Sequence, residues 1–282
     1  MNQPRGVGAT AVFVAAARAL ESRREDRLFD DPWAGAFVRA SGWSPPAEVL
    51  AEAGREELTT WMAARTKFLD DFVLESVAGG CGQLVFLGAG LDTRAFRLHW
   101  PAPVTVYELD TADMLDFKAS VVADAAPAAD ATRVPMPVDL REDWPTALHD
   151  AGFRDDVPTV WVLEGLLMYL TPEDVDALMT HVGELSAPGS TLGATVTTVD
   201  ATAVMDDAPI FQDSPLSREE WLELLRSNGP DDPVAWFDQY GWRARAFPTA
   251  DLAVEYGRTL PDVDHLHRNR PGDRWMVSAT RA

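Results

Sequence analysis

Two short stretches combine residue types and spacing in a way that could do chemistry. Gly88-Ala89-Gly90 directly follows the apolar run Leu84-Val85-Phe86-Leu87. Glycines at the exit of a buried strand let a ligand approach the backbone closely, because no Cβ intrudes and a positive φ costs little. In an open α/β sheet the ligand crevice lies at the carboxyl ends of the strands, where the winding reverses. The second stretch is Glu108-Leu109-Asp110, which ends the apolar run Val104-Thr105-Val106-Tyr107. Asp110 falls 20 residues after Gly90, the position from which a carboxylate accepts hydrogen bonds from both ribose hydroxyls of an adenosine. Glu108 points to the same face of the expected strand, so spacing alone leaves the two acids as competitors. A dinucleotide fingerprint would place its third small residue at position 93, which is Thr, and a pyrophosphate is therefore less well served.

The elements that must position these residues alternate along the chain. The first 80 residues read as helices: 11–19 is Ala-rich, Asp30-Asp31-Pro32 resembles a helix start, and 56–77 carries Leu58, Met62, Arg65, Leu69, Phe72 and Val73 at three- and four-residue steps. Beyond Gly79-Gly80-Cys81-Gly82 the period changes. Strands are expected at 84–87, 104–107, 133–138, 158–163 and 191–198, with helices over 111–125 and from Thr171-Pro172-Glu173-Asp174 to about 186. This βαβα order implies a parallel sheet covered on both faces. Ser217 with Glu220 three residues on predicts a capped helix to 227, and 242–247 and 274–280 read as two late strands on an antiparallel edge.

With the elements in place, four ordered motifs stand out: Leu87-Gly88-Ala89-Gly90-Leu91-Asp92-Thr93-Arg94, Tyr107-Glu108-Leu109-Asp110, Val138-Asp139-Leu140, and Glu164-Gly165-Leu166-Leu167-Met168-Tyr169-Leu170. Together they resemble the leucine carboxyl methyltransferase family. More narrowly, the chain is similar to an actinobacterial branch of S-adenosylmethionine-dependent O-methyltransferases, the tetracenomycin-type enzymes of polyketide pathways. The likeness runs from about residue 10 to the C-terminus and includes Ala15-Ala16-Ala17-Arg18, Leu28-Phe29-Asp30-Asp31-Pro32 and Arg65-Thr66-Lys67-Phe68.

The resemblance implies a class I methyltransferase fold, α/β and Rossmann-like. It would have a mostly parallel seven-stranded sheet with helices on both faces, a helical N-terminal cap over 1–80, and a cofactor-binding core over 81–282 with an insertion at about 200–238. It implies residue roles too. Gly88, Ala89 and Gly90 would pass beneath the methionine half of S-adenosylmethionine, and Asp110 would hold the ribose. Asp139 and Leu140 would bracket the adenine, Glu164 would lie near the sulfonium, and Arg65 would meet the cofactor carboxylate, a pairing that suits a guanidinium fork. Phe86 departs from the family's usual Asp or Asn at that strand end and removes a polar contact there.

Methyl transfer from a sulfonium needs positioning more than acid catalysis. A carboxylate acceptor, with a pKa near ~4, is already ionised at neutral pH, whereas a phenol near ~10 must first lose its proton. None of the five histidines falls inside the four motifs, which favours a carboxylate. Tyr169, or His99 just after the first motif, is the candidate base if the acceptor is a hydroxyl. Arg18, Lys67 and Arg94 are the candidate cations for an anionic substrate, and Trp33, Trp43, Trp61, Trp221 and Trp236 suit a flat aromatic one.

Composition narrows the alternatives. With 24 Lys+Arg against 45 Asp+Glu the formal net charge is −21, which opposes nucleic acid and anionic membranes. Cys81 is the single cysteine, so no intrachain disulfide forms and a reducing cytoplasm fits. No Cys/His spacing suits zinc, no signal peptide is evident, and the longest apolar run, 157–170, is broken by Glu164 and shorter than the ~20 residues a bilayer requires. A small-molecule acceptor is the expected partner, with oligomeric state open. The competing readings are a nicotinamide oxidoreductase on the same sheet, disfavoured by Thr93, and a non-catalytic cofactor-binding subunit.

Overall fold

Strand β1 (Gln83–Leu87) and strand β4 (Thr159–Leu163) are buried at every residue, as continuous apolar runs require when both faces of a sheet are covered. They lie side by side at the centre of a seven-stranded sheet in the computed structural model, which describes residues 4–43, 52–198, 216–259 and 274–281. The other strands are β2 (Val104–Asp110), β3 (Ala131–Pro137), β5 (Thr191–Thr197), β6 (Trp242–Pro248) and β7 (Arg274–Arg281). The order is β3-β2-β1-β4-β5-β7-β6. The first five strands run parallel, and β7 is antiparallel to both of its neighbours. The winding therefore reverses between β1 and β4, directly at the Gly88-Ala89-Gly90 turn. Of the two expected late strands, β6 forms the edge and β7 is inserted beside β5.

The helices of the first segment are α1 (Val7–Glu21), α2 (Ala34–Ser41) and α3 (Glu52–Ala78). Leu69, Val73 and Val77 of α3 share one core with Leu84, Phe86, Val106 and Val160 of the sheet, so the last turns of α3 are one of the sheet's covering layers. On the opposite face Trp144, Phe153, Trp161, Leu178 and Trp242 form the second core. Helix α2 begins two residues beyond Pro32, because the Asp31 carboxylate accepts the N–H groups of Trp33 and Ala34.

Between and after the strands lie α4 (Arg94–Arg97), α5 (Ala112–Val121), α6 (Trp144–Asp150), α7 (Pro172–Glu184), α8 (Arg218–Leu224), α9 (Pro233–Gln239) and α10 (Thr249–Glu255). Thr171 with Asp174 and Ser217 with Glu220 form the capping boxes that start α7 and α8. Helix α8 stops at Leu224 rather than 227, because the N–H groups of Arg226 and Ser227 turn to the Met168 carbonyl instead of their own helix. The expected insertion before residue 216, together with His265 and His267, lies outside the described residues. Among the described residues no helix is long and apolar enough to cross a membrane.

Candidate active site

The carboxyl ends of β1, β2, β4 and β5 open into one cavity of about 840 Å³, roofed by α1, α3 and the segment around α8. Gly88 and Gly90 line it at φ of 70° and 47°, conformations that side chains rarely adopt. The turn is fixed to the next strand: Ala89 donates its N–H to the Leu109 carbonyl at 2.9 Å, and Gly90 donates to Asp110 Oδ2 at 2.7 Å. Asp110 Oδ1 accepts from the Thr111 N–H at 2.7 Å. Oδ1 also accepts from the Thr111 hydroxyl at 3.3 Å, and Oδ2 keeps a further lone pair. Burial raises the Asp110 pKa against the lowering effect of those backbone donors.

Glu108 is separated from Asp110 by its surroundings. Its side chain is fully buried, and Oε2 lies 2.7 Å from Lys118 Nζ and 2.9 Å from Arg133 Nε. Burial opposes its ionisation, but the two cations outweigh it and hold the carboxyl below its ordinary range. Glu108 does not line the cavity, so of the two acids that spacing left open, only Asp110 faces it.

At the end of β4, Glu164 joins two arginines. Oε1 accepts from Arg65 Nε at 2.7 Å and Oε2 from Arg94 Nη1 at 2.8 Å. Burial opposes the charge of Glu164, yet Arg94 and Arg65 bring its carboxyl down to about 2. Gly165, at φ 65°, makes room for this contact: a Cβ there would stand 2.8 Å from Arg65 Nη2. Its N–H is held by Thr195 Oγ1 at 2.7 Å. Arg65 lines the cavity, and its Nη2 has no hydrogen-bond partner among the described residues.

Asp139 and Leu140 also line the cavity, with the Asp139 carboxylate gripped by Arg141, which lowers its pKa. Tyr169 lines it as well; its hydroxyl lies 3.3 Å from Thr10 Oγ1, and burial pushes its pKa up.

Of the five expected tryptophans only Trp61 and Trp221 line the cavity, and three further expected positions are placed elsewhere. His99 is exposed and away from the cavity, in the loop after α4. Lys67 is also off the wall, paired with Asp71 at 2.6 Å one turn along α3. Arg94 is buried behind Glu164 among Asp70 and Asp92, so no substrate reaches it. Arg18 does line the cavity, but it is committed to Asp31 at 3.0 Å and to the Leu91 carbonyl at 2.6 Å.

Sequence reasoning passed over four cationic wall residues, Arg5, Arg141, Arg226 and Arg274. None belongs to a motif. Arg274 opens a strand whose alternation carried the only signal, since Met276 two residues on shares the wall.

The donor set fits an adenosine bearing an amino-acid tail. Two glycines at positive φ sit at the switch point, Asp110 Oδ2 has capacity for a ribose hydroxyl, and Arg65 Nη2 has no partner among the described residues. A sheet of this order with its antiparallel β7, and a nucleoside-sized crevice at the reversal, define the class I methyltransferase architecture.

The sequence profile of the leucine carboxyl methyltransferase family matches residues 11–183, and the chain belongs to that family. A protein of Streptomyces coelicolor, provisionally named an S-adenosyl-L-methionine-dependent methyltransferase, is 43% identical over 99% of this chain and 97% of its own. One of Frankia alni, named in the same way, is 45% identical over 92% and 90%. Among solved structures, a protein of Streptomyces avermitilis superposes with a TM-score of 0.57 at 12% identity over 97% of both chains. A provisionally assigned methyltransferase of Thermobifida fusca gives 0.51 at 19% over 94% of both. These two likenesses show the fold.

Proposed function

We propose that the protein is an S-adenosylmethionine-dependent O-methyltransferase that methylates the carboxylate of a small apolar metabolite, of the kind found in polyketide pathways. The observation that carries the choice of acceptor is the chemistry of the cavity wall. Among the described residues it holds arginines, aromatic rings and the carboxylates of Asp92, Asp110, Asp113, Asp139 and Glu164 but no histidine, and burial keeps the Tyr169 phenol protonated. A phenolic acceptor would need a base to remove its proton, whereas a carboxylate arrives ionised.

In this reading Gly88, Ala89 and Gly90 lie beneath the cofactor's methionine half, Asp110 accepts the ribose hydroxyls and Asp139 with Leu140 flanks the adenine. Arg65, oriented by Glu164, holds the carboxylate tail. When bound, S-adenosylmethionine supplies an electrophilic methyl group on sulfur. The chain's own task is to hold an acceptor oxygen in line and exclude water, and this positioning provides up to about 7–11 kcal/mol of barrier reduction. A small molecule is the expected partner; a net charge of −21 opposes nucleic acid and anionic membranes, and the single Cys81 suits the cytoplasm.

Incubation with labelled cofactor and a panel of carboxylic acids, phenols and peptides tests this. Base-labile methyl esters are expected. Methyl ethers alone would shift the acceptor to a hydroxyl and give Tyr169 a role, and calorimetric binding of NAD without S-adenosylhomocysteine would replace the reading with an oxidoreductase.

A further inference from the structure

An anionic acceptor must enter a chain of net charge −21, and the three cations that its sequence offers first are spent: Arg18 on Asp31, Lys67 on Asp71, and Arg94 on Asp70, Asp92 and Glu164. Of the other arginines on the cavity wall, Arg141 is spent on Asp139, Arg5 lies just before α1, and Arg226 and Arg274 stand on the side of β5 and β7. Arg274 begins β7, its guanidinium 5.1 Å from the centre of the Trp61 ring.

Arg226 is placed by backbone rather than by its own side chain. Its N–H donates to the Met168 carbonyl at 2.8 Å, and the Ser227 hydroxyl donates to the Leu167 carbonyl at 3.0 Å. Two residues further, Gly229 donates its N–H to the Thr197 carbonyl at 2.9 Å. A Cβ on Gly229 would fall 2.4 Å from that same oxygen, so the approach requires glycine. The strap 226–229 thus ties the turn after β4 to the carboxyl end of β5. Arg274 is the register partner of Thr197 on β7, so the strap and Arg274, from distant segments, meet at the end of one strand. The wall around them is apolar, with Trp61, Met62, Trp221, Leu224 and Met276. Arg226 is exposed and its side chain makes no hydrogen bond or ion pair among the described residues, so its charge is available at the mouth.

We infer that Arg226 is the residue that selects an anionic acceptor, pairing with the carboxylate of a flat, apolar acid whose body rests against Trp61 and Trp221. The inference rests on the carboxylate reading above and adds the side chain that enforces it. A guanidinium fork meets a carboxylate with two charge-assisted hydrogen bonds, and a neutral amide of the same shape forfeits them.

Calorimetry on the full chain tests this: S-adenosylhomocysteine first, then, with that product saturating, benzoate, 2-naphthoate and decanoate, each against its primary amide. In the unaltered protein at least one carboxylate is expected to bind about tenfold tighter than its amide. Arg226→Gln should erase that preference, Arg226→Lys should restore part of it, and S-adenosylhomocysteine affinity and melting temperature should stay as they were. Protein that binds S-adenosylhomocysteine but prefers no carboxylate over its amide overturns the inference. So does an Arg226→Gln protein that keeps the preference or loses S-adenosylhomocysteine as well. Failure of the unaltered protein to bind S-adenosylhomocysteine is the separate result that removes the proposed function and the inference together.

Discussion

Two clusters of buried charge lie within the sheet's reach and behave differently. Around β2, Glu108, Lys118 and Arg133 turn their charges on one another inside the fold, with side-chain exposures of 0%, 0% and 12%. At the end of β4, Glu164 binds Arg65 and Arg94, but Arg65 Nη2 has no partner among the described residues and Arg65 keeps a place on the cavity wall. The difference teaches that burying a charge does not make it functional. What marks the second cluster is a leftover donor facing open space, and the same test separates Asp110 from Glu108.

That comparison can be broken by substitution. The largest effect is expected from Glu108→Ala, which strands the fully buried Lys118 without its carboxylate and should cost about 3–5 kcal/mol in urea unfolding. The folded protein should still bind S-adenosylhomocysteine with ordinary affinity; a weakened affinity would mean that the β2 cluster reaches the cavity.

Glu164 sharpens the contrast through pH. Its folded carboxyl lies at about 2 against an ordinary 4.5, so its stabilisation is fully present above 4.5 and drains away as the pH falls from 4.5 to 2. That contribution is about 3 kcal/mol. Urea midpoints at pH 6 and pH 3 should therefore differ more for the unaltered protein than for Glu164→Gln, and the variant should also bind S-adenosylhomocysteine more weakly because Arg65 loses its orienting partner.

Asp110→Ala should leave the fold standing and weaken S-adenosylhomocysteine binding about tenfold or more, the loss of at least one hydrogen bond to a charged acceptor. Because burial raises its pKa above the ordinary 3.8, affinity in the unaltered protein should fall on acidification as the carboxylate takes up a proton, at a pH above that value. An unchanged affinity in Asp110→Ala would detach the ribose from this acid. The smallest effect is expected from His99→Ala: the residue is exposed and off the wall, so unfolding free energy should move by less than about 0.5 kcal/mol and methylation of any accepted substrate should hold its rate.

The part of this molecule that is legible in sequence is the part built from contiguous residues. Leu84-Val85-Phe86-Leu87 must be a doubly covered strand, and Gly88 and Gly90 must follow it wherever a ligand meets backbone. Helices α4, α6, α9 and α10 escaped because each has seven residues or fewer, less than the helical period needs to declare itself. Two of them had a readable start, since Asp143 and Asp232 cap α6 and α9 with Pro at the first turn. The acceptor side was harder for a different reason. Trp61, Arg226 and Arg274 come from three separated segments and are brought together only by the pairing of β5 with β7 and the contacts of the strap. Spacing could not divide Glu108 from Asp110 either, because their fates depend on Lys118 and Arg133, which arrive from a helix and another strand.

The strap over β5 has a practical corollary. A segment fastened mainly through peptide groups can have its remaining side chains rewritten without refolding what lies beneath. Retargeting this cavity to new acceptors would begin at positions 226 and 228, leaving Gly229 untouched as the rivet that keeps every rewritten version in register.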